Sequence, residues 1–299
     1  MGFIAASFLS VNGERDETQL PLAPVLDVLA NVFRNLPDYG ELNDEARDYL
    51  RDSIELGLEH LAGACSAWGS GAYFPCETSC RTVFEISVNI LYILQAPERR
   101  ASQHQRACVF HEQKQVRAAL QLAEKQGLDG LAKEFSDNLE MLNGQIEIVE
   151  RFAPAFAGGS ATSEKAWPSM RQRLEAVGED FDYPTLYSVL CRSTHGDAEP
   201  LIERRLARII GHGKRDSREM TRAVLLHFRE TTRAFSRMLI AQASFRLMKA
   251  AGRFASRYGI RPLLETISTN LEGIRVLDEE AAAEVRALRQ SDAWKSAST

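Results

Sequence analysis

Long apolar runs are scarce in this chain of 299 residues. The longest, from Val83 to Leu94, falls short of the roughly 18 to 20 residues that a membrane span requires, and it contains Glu85 and Asn89. No membrane partner is therefore expected. Cysteine is also sparse. Five residues, an odd number, do not make a disulfide framework. Cys76 and Cys80 stand four apart, but no second Cys or His pair stands at zinc spacing, so no metal is expected. Reduced thiols packed as small apolar groups fit a cytoplasmic protein. The opening "MGFIAASFLS" lacks the basic stretch and the apolar length of a secretory signal, and it reads as an initial strand or a docked apolar tail. Glycine-rich phosphate loops, dinucleotide fingerprints, nucleophile elbows and zincin helices are all missing, so no cofactor is expected. Sustained two-residue alternation is missing too, which argues against a substantial sheet.

What is present is helical periodicity. Apolar residues make up 44% of the chain and charged residues 26%, the balance of an ordinary globular protein. The ten prolines are few for this length, and Pro75, Pro97, Pro168, Pro184, Pro200 and Pro262 suit first helical turns. The pattern predicts helices over about 20–36, 43–68, 74–95, 97–127, 129–155, 168–178, 184–195, 198–211, 216–258 and 262–290. The fold class is all-α, an elongated multi-helix bundle with long C-terminal helices. Three parts are expected: an N-terminal segment and first helix over 1–40, a helical core domain over 41–200, and an Arg-rich C-terminal helical arm over 201–299 packed on that core. "FAGGSATSEKAW" and "GHGKRDS" are the breaks between periodic stretches.

The stretch "PCETSCRTVFEISVNILYILQ" is apolar on most sides, the mark of a central helix. Glu77, Arg81, Glu85 and Asn89 nevertheless recur at every fourth position. An arginine flanked by carboxylates one turn away on either side is neutralised within its own helix, which lowers the cost of burying it. The stripe is a candidate pocket wall that offers Arg81 to an anion. The alternative is an ion network that only fixes helix register. Farther on, "TLYSVLCRSTHG" places Ser188, Arg192 and His195 on one face and Tyr187, Cys191 and Thr194 on the adjoining one. Gly196 suits the left-handed position that ends a helix. His195 would then stand at the negative end of the helix dipole, which favours its charged form.

These residues resemble a widespread bacterial family of helical domains of unknown function. Its members show Arg-x-x-x-Glu in an apolar helix, then a Trp, then Tyr-x-x-Leu-Ser-x-x-Val-His-Gly. The chain has Arg81 and Glu85, then Trp167, then Tyr187, Leu190, His195 and Gly196, with Cys191 in place of the serine and Thr194 in place of the valine. The resemblance spans roughly residues 45 to 200. It implies an all-helical fold in which Arg81, Glu85, Tyr187 and His195 are drawn together.

A more distant resemblance is to the HEPN superfamily of helical ribonucleases and nucleotide-binding domains, marked by an Arg, four to six intervening residues, then a His. Arg99/His104, Arg106/His111, Arg205/His212 and Arg222/His227 match that spacing. The resemblance implies an RNA- or nucleotide-directed effector, a metal-independent endoribonuclease of a bacterial defence or toxin system. A His would move the proton and an Arg would neutralise the developing phosphorane charge. Arg106 with His111 and Arg192 with His195 are the candidate catalytic pairs. Residues five apart on a helix point about 140° apart, so a five-residue pair converges only at a helix end or across a homodimer.

Charge is unevenly spread. The net charge is −5, yet residues 201–261 hold 13 Arg and 2 Lys against 4 acids. Arg218, Arg222, Arg229 and Arg233 fall on one arc of the predicted long helix, a candidate ridge for RNA or nucleotide phosphates. A non-catalytic helical module that binds an anion or a protein partner is the competing reading, and pairing of the ridge with nearby acids is its structural counterpart.

Overall fold

The computed structural model describes residues 21–37, 45–157, 167–194, 205, 209 and 217–290. Among them nine α-helices form, with no strand: α1 (Ala23–Asn35), α2 (Glu45–Gly69), α3 (Tyr73–Ile93), α4 (Pro97–Lys125), α5 (Asp129–Ala157), α6 (Met170–Val177), α7 (Ser188–Thr194), α8 (Ser217–Tyr258) and α9 (Arg261–Gln290). A π-helical turn, Tyr183–Tyr187, leads directly into α7. The protein is thus an all-α multi-helix bundle, as the periodicity implies. The opening apolar segment and most of the expected helix over 198–211 lie outside the described residues.

Local chemistry explains where the helices begin and end. Pro97 opens α4 at a position whose N–H has no partner in any helix. Pro168 does not open its helix: it precedes Ser169, which caps α6 reciprocally with Gln172. Gly127 and Gly259 end α4 and α8 with φ of 67° and 69°, and the N–H of the next residue reaches back to Ala123 and Ala255. A side chain would strain both positions, because the left-handed region crowds a Cβ. Both short turns fold the chain back on itself, so α4 pairs with α5 and α8 with α9.

The chain divides into two compact units whose segments interleave. The first comprises residues 1–37, 54–87 and 181–299, and the second 38–53 and 88–180. In the first unit α9 packs on both α8 and α1. Its buried residues Leu263, Ile267, Ile274, Leu277, Ala281 and Val285 follow one helical stripe. From Leu239 to Ala255, α8 is buried on most sides, and its alanines allow close neighbours. Gly57 of α2 approaches so closely that a Cβ there would lie 2.7 Å from Leu247 Cδ1. The second unit is built on the α4–α5 hairpin with α6. No described helix is long and apolar enough to cross a membrane.

Candidate functional site

Four-residue spacing advances 40° beyond a full turn of helix, so the stripe on α3 winds around its axis. Between Glu77 and Asn89 the drift reaches about 120°. The four polar residues therefore meet three different partners instead of lining one wall. Glu77, which is buried, accepts a hydrogen bond from Ser236 Oγ at 3.2 Å. Arg81 and Glu85 face Tyr187. Asn89, within the second unit, faces His104 at 3.4 Å.

Arg81, Glu85 and Tyr187 bond to one another in a ring of three. Arg81 Nε donates to Glu85 Oε1 at 2.8 Å, Arg81 Nη2 donates to Tyr187 Oη at 3.4 Å, and Tyr187 Oη donates to Glu85 Oε1 at 3.1 Å. The guanidinium lies 5.5 Å from the Tyr187 ring centre, and Phe84 stacks beneath that ring at 6.0 Å and 28°. Burial pushes the Tyr187 hydroxyl up to about 12, with the Glu85 carboxylate adding to the rise. Burial opposes the Arg81 charge, but hydrogen bonds to Glu85 and Tyr187 outweigh it and raise the guanidinium pKa. The sequence expectation that Arg81, Glu85 and Tyr187 come together therefore holds in the geometry. His195 lies outside the described residues, as does the side chain of Arg192. Replacing Tyr187 by Phe removes one donor and one acceptor from the set; chemical denaturation should register a loss of about 1 kcal/mol. An unchanged midpoint would mean that solvent replaces both bonds.

The ridge on α8 divides into two kinds of arginine. Arg233 binds Glu230 at 2.9 Å and Glu284 at 3.3 Å; Arg237 binds Glu284 at 3.0 Å and Glu280 at 3.1 Å. These two clamp α8 to α9, and Trp68 Nε1 caps the arrangement by donating to the Arg233 carbonyl at 2.9 Å. Arg222 and Arg229 are exposed, stand two turns apart on the same face, and have no carboxylate partner among the described residues. The Arg218 side chain lies outside the described residues.

In the second unit His104 gathers a set that the sequence did not reveal. Tyr49 Oη lies 2.5 Å from His104 Nδ1, and the Asn89 amide and Cys108 Sγ approach Nε2 at 3.4 and 3.7 Å. The Trp167 ring packs on the imidazole at 4.4 Å, and Tyr92 and Arg173 flank Trp167 at 5.3 and 5.4 Å. Burial lowers the His104 pKa to about 4, and Arg173 adds to the shift. At neutral pH the ring is uncharged: it exchanges hydrogen bonds but cannot hold a phosphate as a cation. Burial likewise raises the Cys108 thiol, so it stays protonated beside a ring too weakly basic to ionise it. The i, i+4 spacing of His104 and Cys108 was legible, but Tyr49, 55 residues away, had no local signal.

Arg106 and His111 diverge on α4 as residues five apart must. Arg106 lies against the Phe110 ring at 5.9 Å, and His111 is exposed with Gln115 Nε2 3.0 Å from its own Nε2. Among the described residues no group of three or more His, Cys, Asp or Glu side chains is placed to hold a metal ion.

Neither a curated protein nor a solved structure matches this chain. A family model does match, over residues 58–208, half of the chain. That span takes in α3 with Arg81 and Glu85, then Trp167 and the Tyr187 turn, so the three residues bonded to one another are among those the motif carries. The chain belongs to the Family of unknown function (DUF5677).

Proposed function

We propose that the protein is an RNA- or nucleotide-directed effector that holds phosphate groups on the arginine face of α8. One observation supports this best: Arg222 and Arg229 stand exposed on one face with no carboxylate partner among the described residues, while Arg233 and Arg237 beside them are held by Glu230, Glu280 and Glu284. Arginines that only brace a fold are matched to acids. Two left open, two helical turns apart, present planar donors to an anion. The finer reading, by resemblance to the HEPN superfamily, is a metal-independent endoribonuclease of a cytoplasmic antiviral defence or toxin system. Either Arg106 with His111 or Arg192 with His195 would then serve the reacting phosphate, the second copy of a homodimer completing the site.

Titrating a single-stranded RNA over a salt series tests the binding claim. The Arg222→Ser/Arg229→Ser double variant should bind more weakly, and the slope of log affinity against log salt should shrink by about 1.4, two phosphates' worth for a single strand. An unchanged slope sinks it. Incubation with total RNA in excess EDTA tests cleavage, with His111→Ala and His195→Ala assigning the site. A second reading, a protein-interaction module, is favoured by exposed Leu122, Met141 and Ile148 on the α4–α5 hairpin. It prevails if the native chain binds no RNA.

A further inference from the structure

A cavity of about 430 Å³ opens in the first unit between the π-helical turn and the middle of α8. Its size falls within the range of about 300–1,000 Å³ typical of small-molecule sites. Most of its wall is hydrocarbon: Phe181, Leu186, Val189, Phe235, Met238 and Phe245. Phe181 is 75% exposed and Phe245 41%, a large aromatic surface left to water at an opening. Part of the wall comes from the π-helical turn itself, through Thr185 and Leu186. Such turns carry one residue more than an α-helix needs, and they recur where a chain builds a site.

Charge chooses among the ligands such a cavity could take. Three charged side chains line it: Asp182, Arg246 and Asp278. Arg246 and Asp182 form a close ion pair, so the arginine is neutralised on the spot. Asp278 remains. Gln242, also on the wall, lies near enough to favour its carboxylate form, while its Oδ1 is buried with no hydrogen-bond partner among the described residues. A buried carboxylate oxygen without a donor is costly, and a ligand N–H would remove that cost. Burial also raises the Asp278 pKa, with Glu279 adding to it. With Arg246 and Asp182 paired to each other, the Asp278 carboxyl is the acceptor offered to a ligand, beside aromatic rings whose faces attract cations.

We propose that this cavity binds a small, largely apolar ligand bearing an ammonium group, which donates to Asp278 while its hydrocarbon packs against Phe235, Met238 and Phe245. The site is separate in chemistry from the arginine face of α8. That face selects anions; this cavity rejects them.

Calorimetry or chemical-shift titration of the full-length protein with three matched probes tests it: 3-phenylpropylamine, 3-phenylpropan-1-ol and 3-phenylpropanoate, at millimolar concentration. The amine should bind saturably, the alcohol more weakly and the carboxylate not at all. Asp278→Asn should weaken the amine by about tenfold or more, the worth of a hydrogen bond to a charged group, and leave the alcohol unchanged. Val189→Trp should fill the cavity and abolish both, with the circular dichroism spectrum and RNA affinity retained. No saturable amine binding, equal binding of amine and alcohol, or full amine affinity in Asp278→Asn overturns the proposal. Where Asp278→Asn fails to fold, the three-probe comparison on the native chain and Val189→Trp decide. Because RNA affinity is read in parallel, failure here is distinguishable from failure of the arginine face.

Discussion

Alanine at Phe84 should cost about 3–5 kcal/mol, among the largest single-residue losses expected in the molecule. The ring is fully buried, and its removal takes away both transfer free energy and packing. A second consequence sets this position apart from other core sites. Tyr187 stacks on Phe84, and Tyr187 in turn closes the Arg81–Glu85 set. With the ring gone, Tyr187 loses its floor, and the bond from the guanidinium to Tyr187 is weakened. Urea denaturation followed by tryptophan fluorescence measures the loss. Phe84→Leu, which keeps most of the volume, should cost far less. A deficit below about 1 kcal/mol in the alanine variant would show that neighbouring side chains collapse into the gap, contrary to the close packing expected of a core.

Acid should weaken the second unit through His104. Its folded pKa of about 4 lies below the usual 6.5, because burial and Arg173 both oppose the charged ring. As pH falls, the unfolded chain takes up the proton first, so stability drops. The contribution is complete above pH 6.5, declines between 6.5 and about 4, and is exhausted below that. Two and a half pKa units correspond to about 3 kcal/mol. The groups that face the ring do not compensate: Tyr49 and Cys108 stay neutral through this window, both raised chiefly by burial, and Arg173 stays positive. Denaturation midpoints from pH 7.5 to 4.5 should fall more steeply for the native chain than for His104→Gln, which has nothing to titrate there. Parallel curves would refute the neutral, buried assignment. The functional corollary is direct: His104, which matches the Arg–His spacing, is removed by the fold from phosphate chemistry at neutral pH.

Helix identity was readable because it is local. Apolar period, prolines near helix starts and glycines at helix ends each act within a few residues, and the predicted spans from α2 to α9 match within a turn where residues are described. Pairings across the chain were readable only where a motif carried them. Arg81, Glu85 and Tyr187 were expected together through a family resemblance; no spacing rule links positions 106 residues apart. The apolar neighbours of the stripe correctly marked α3 as central, yet the even fourfold spacing suggested one wall. The 40° drift per step, small between neighbours, sends Asn89 to a different partner from Glu77. Tyr49 and the cavity at Asp278 had no trace in the sequence, since each is made by residues that share nothing but a location. The ridge was legible as charge but not as function: which arginines are matched depends on Glu280 and Glu284, contributed by another helix.

The π-helical turn between Tyr183 and Ser188 also governs phase. Its extra residue, held by the Ser188 N–H reaching back five residues to the Tyr183 carbonyl, sets the angle at which everything before it meets everything after it. Excising a single residue there would restore ordinary winding and rotate the upstream side chains by about 100° relative to α7. The same insertion thus couples two places that otherwise share no chemistry, the tyrosine lid over Arg81 and the threonine–leucine edge of the amine cavity. An event that tightened or loosened that one coil would reach both at once.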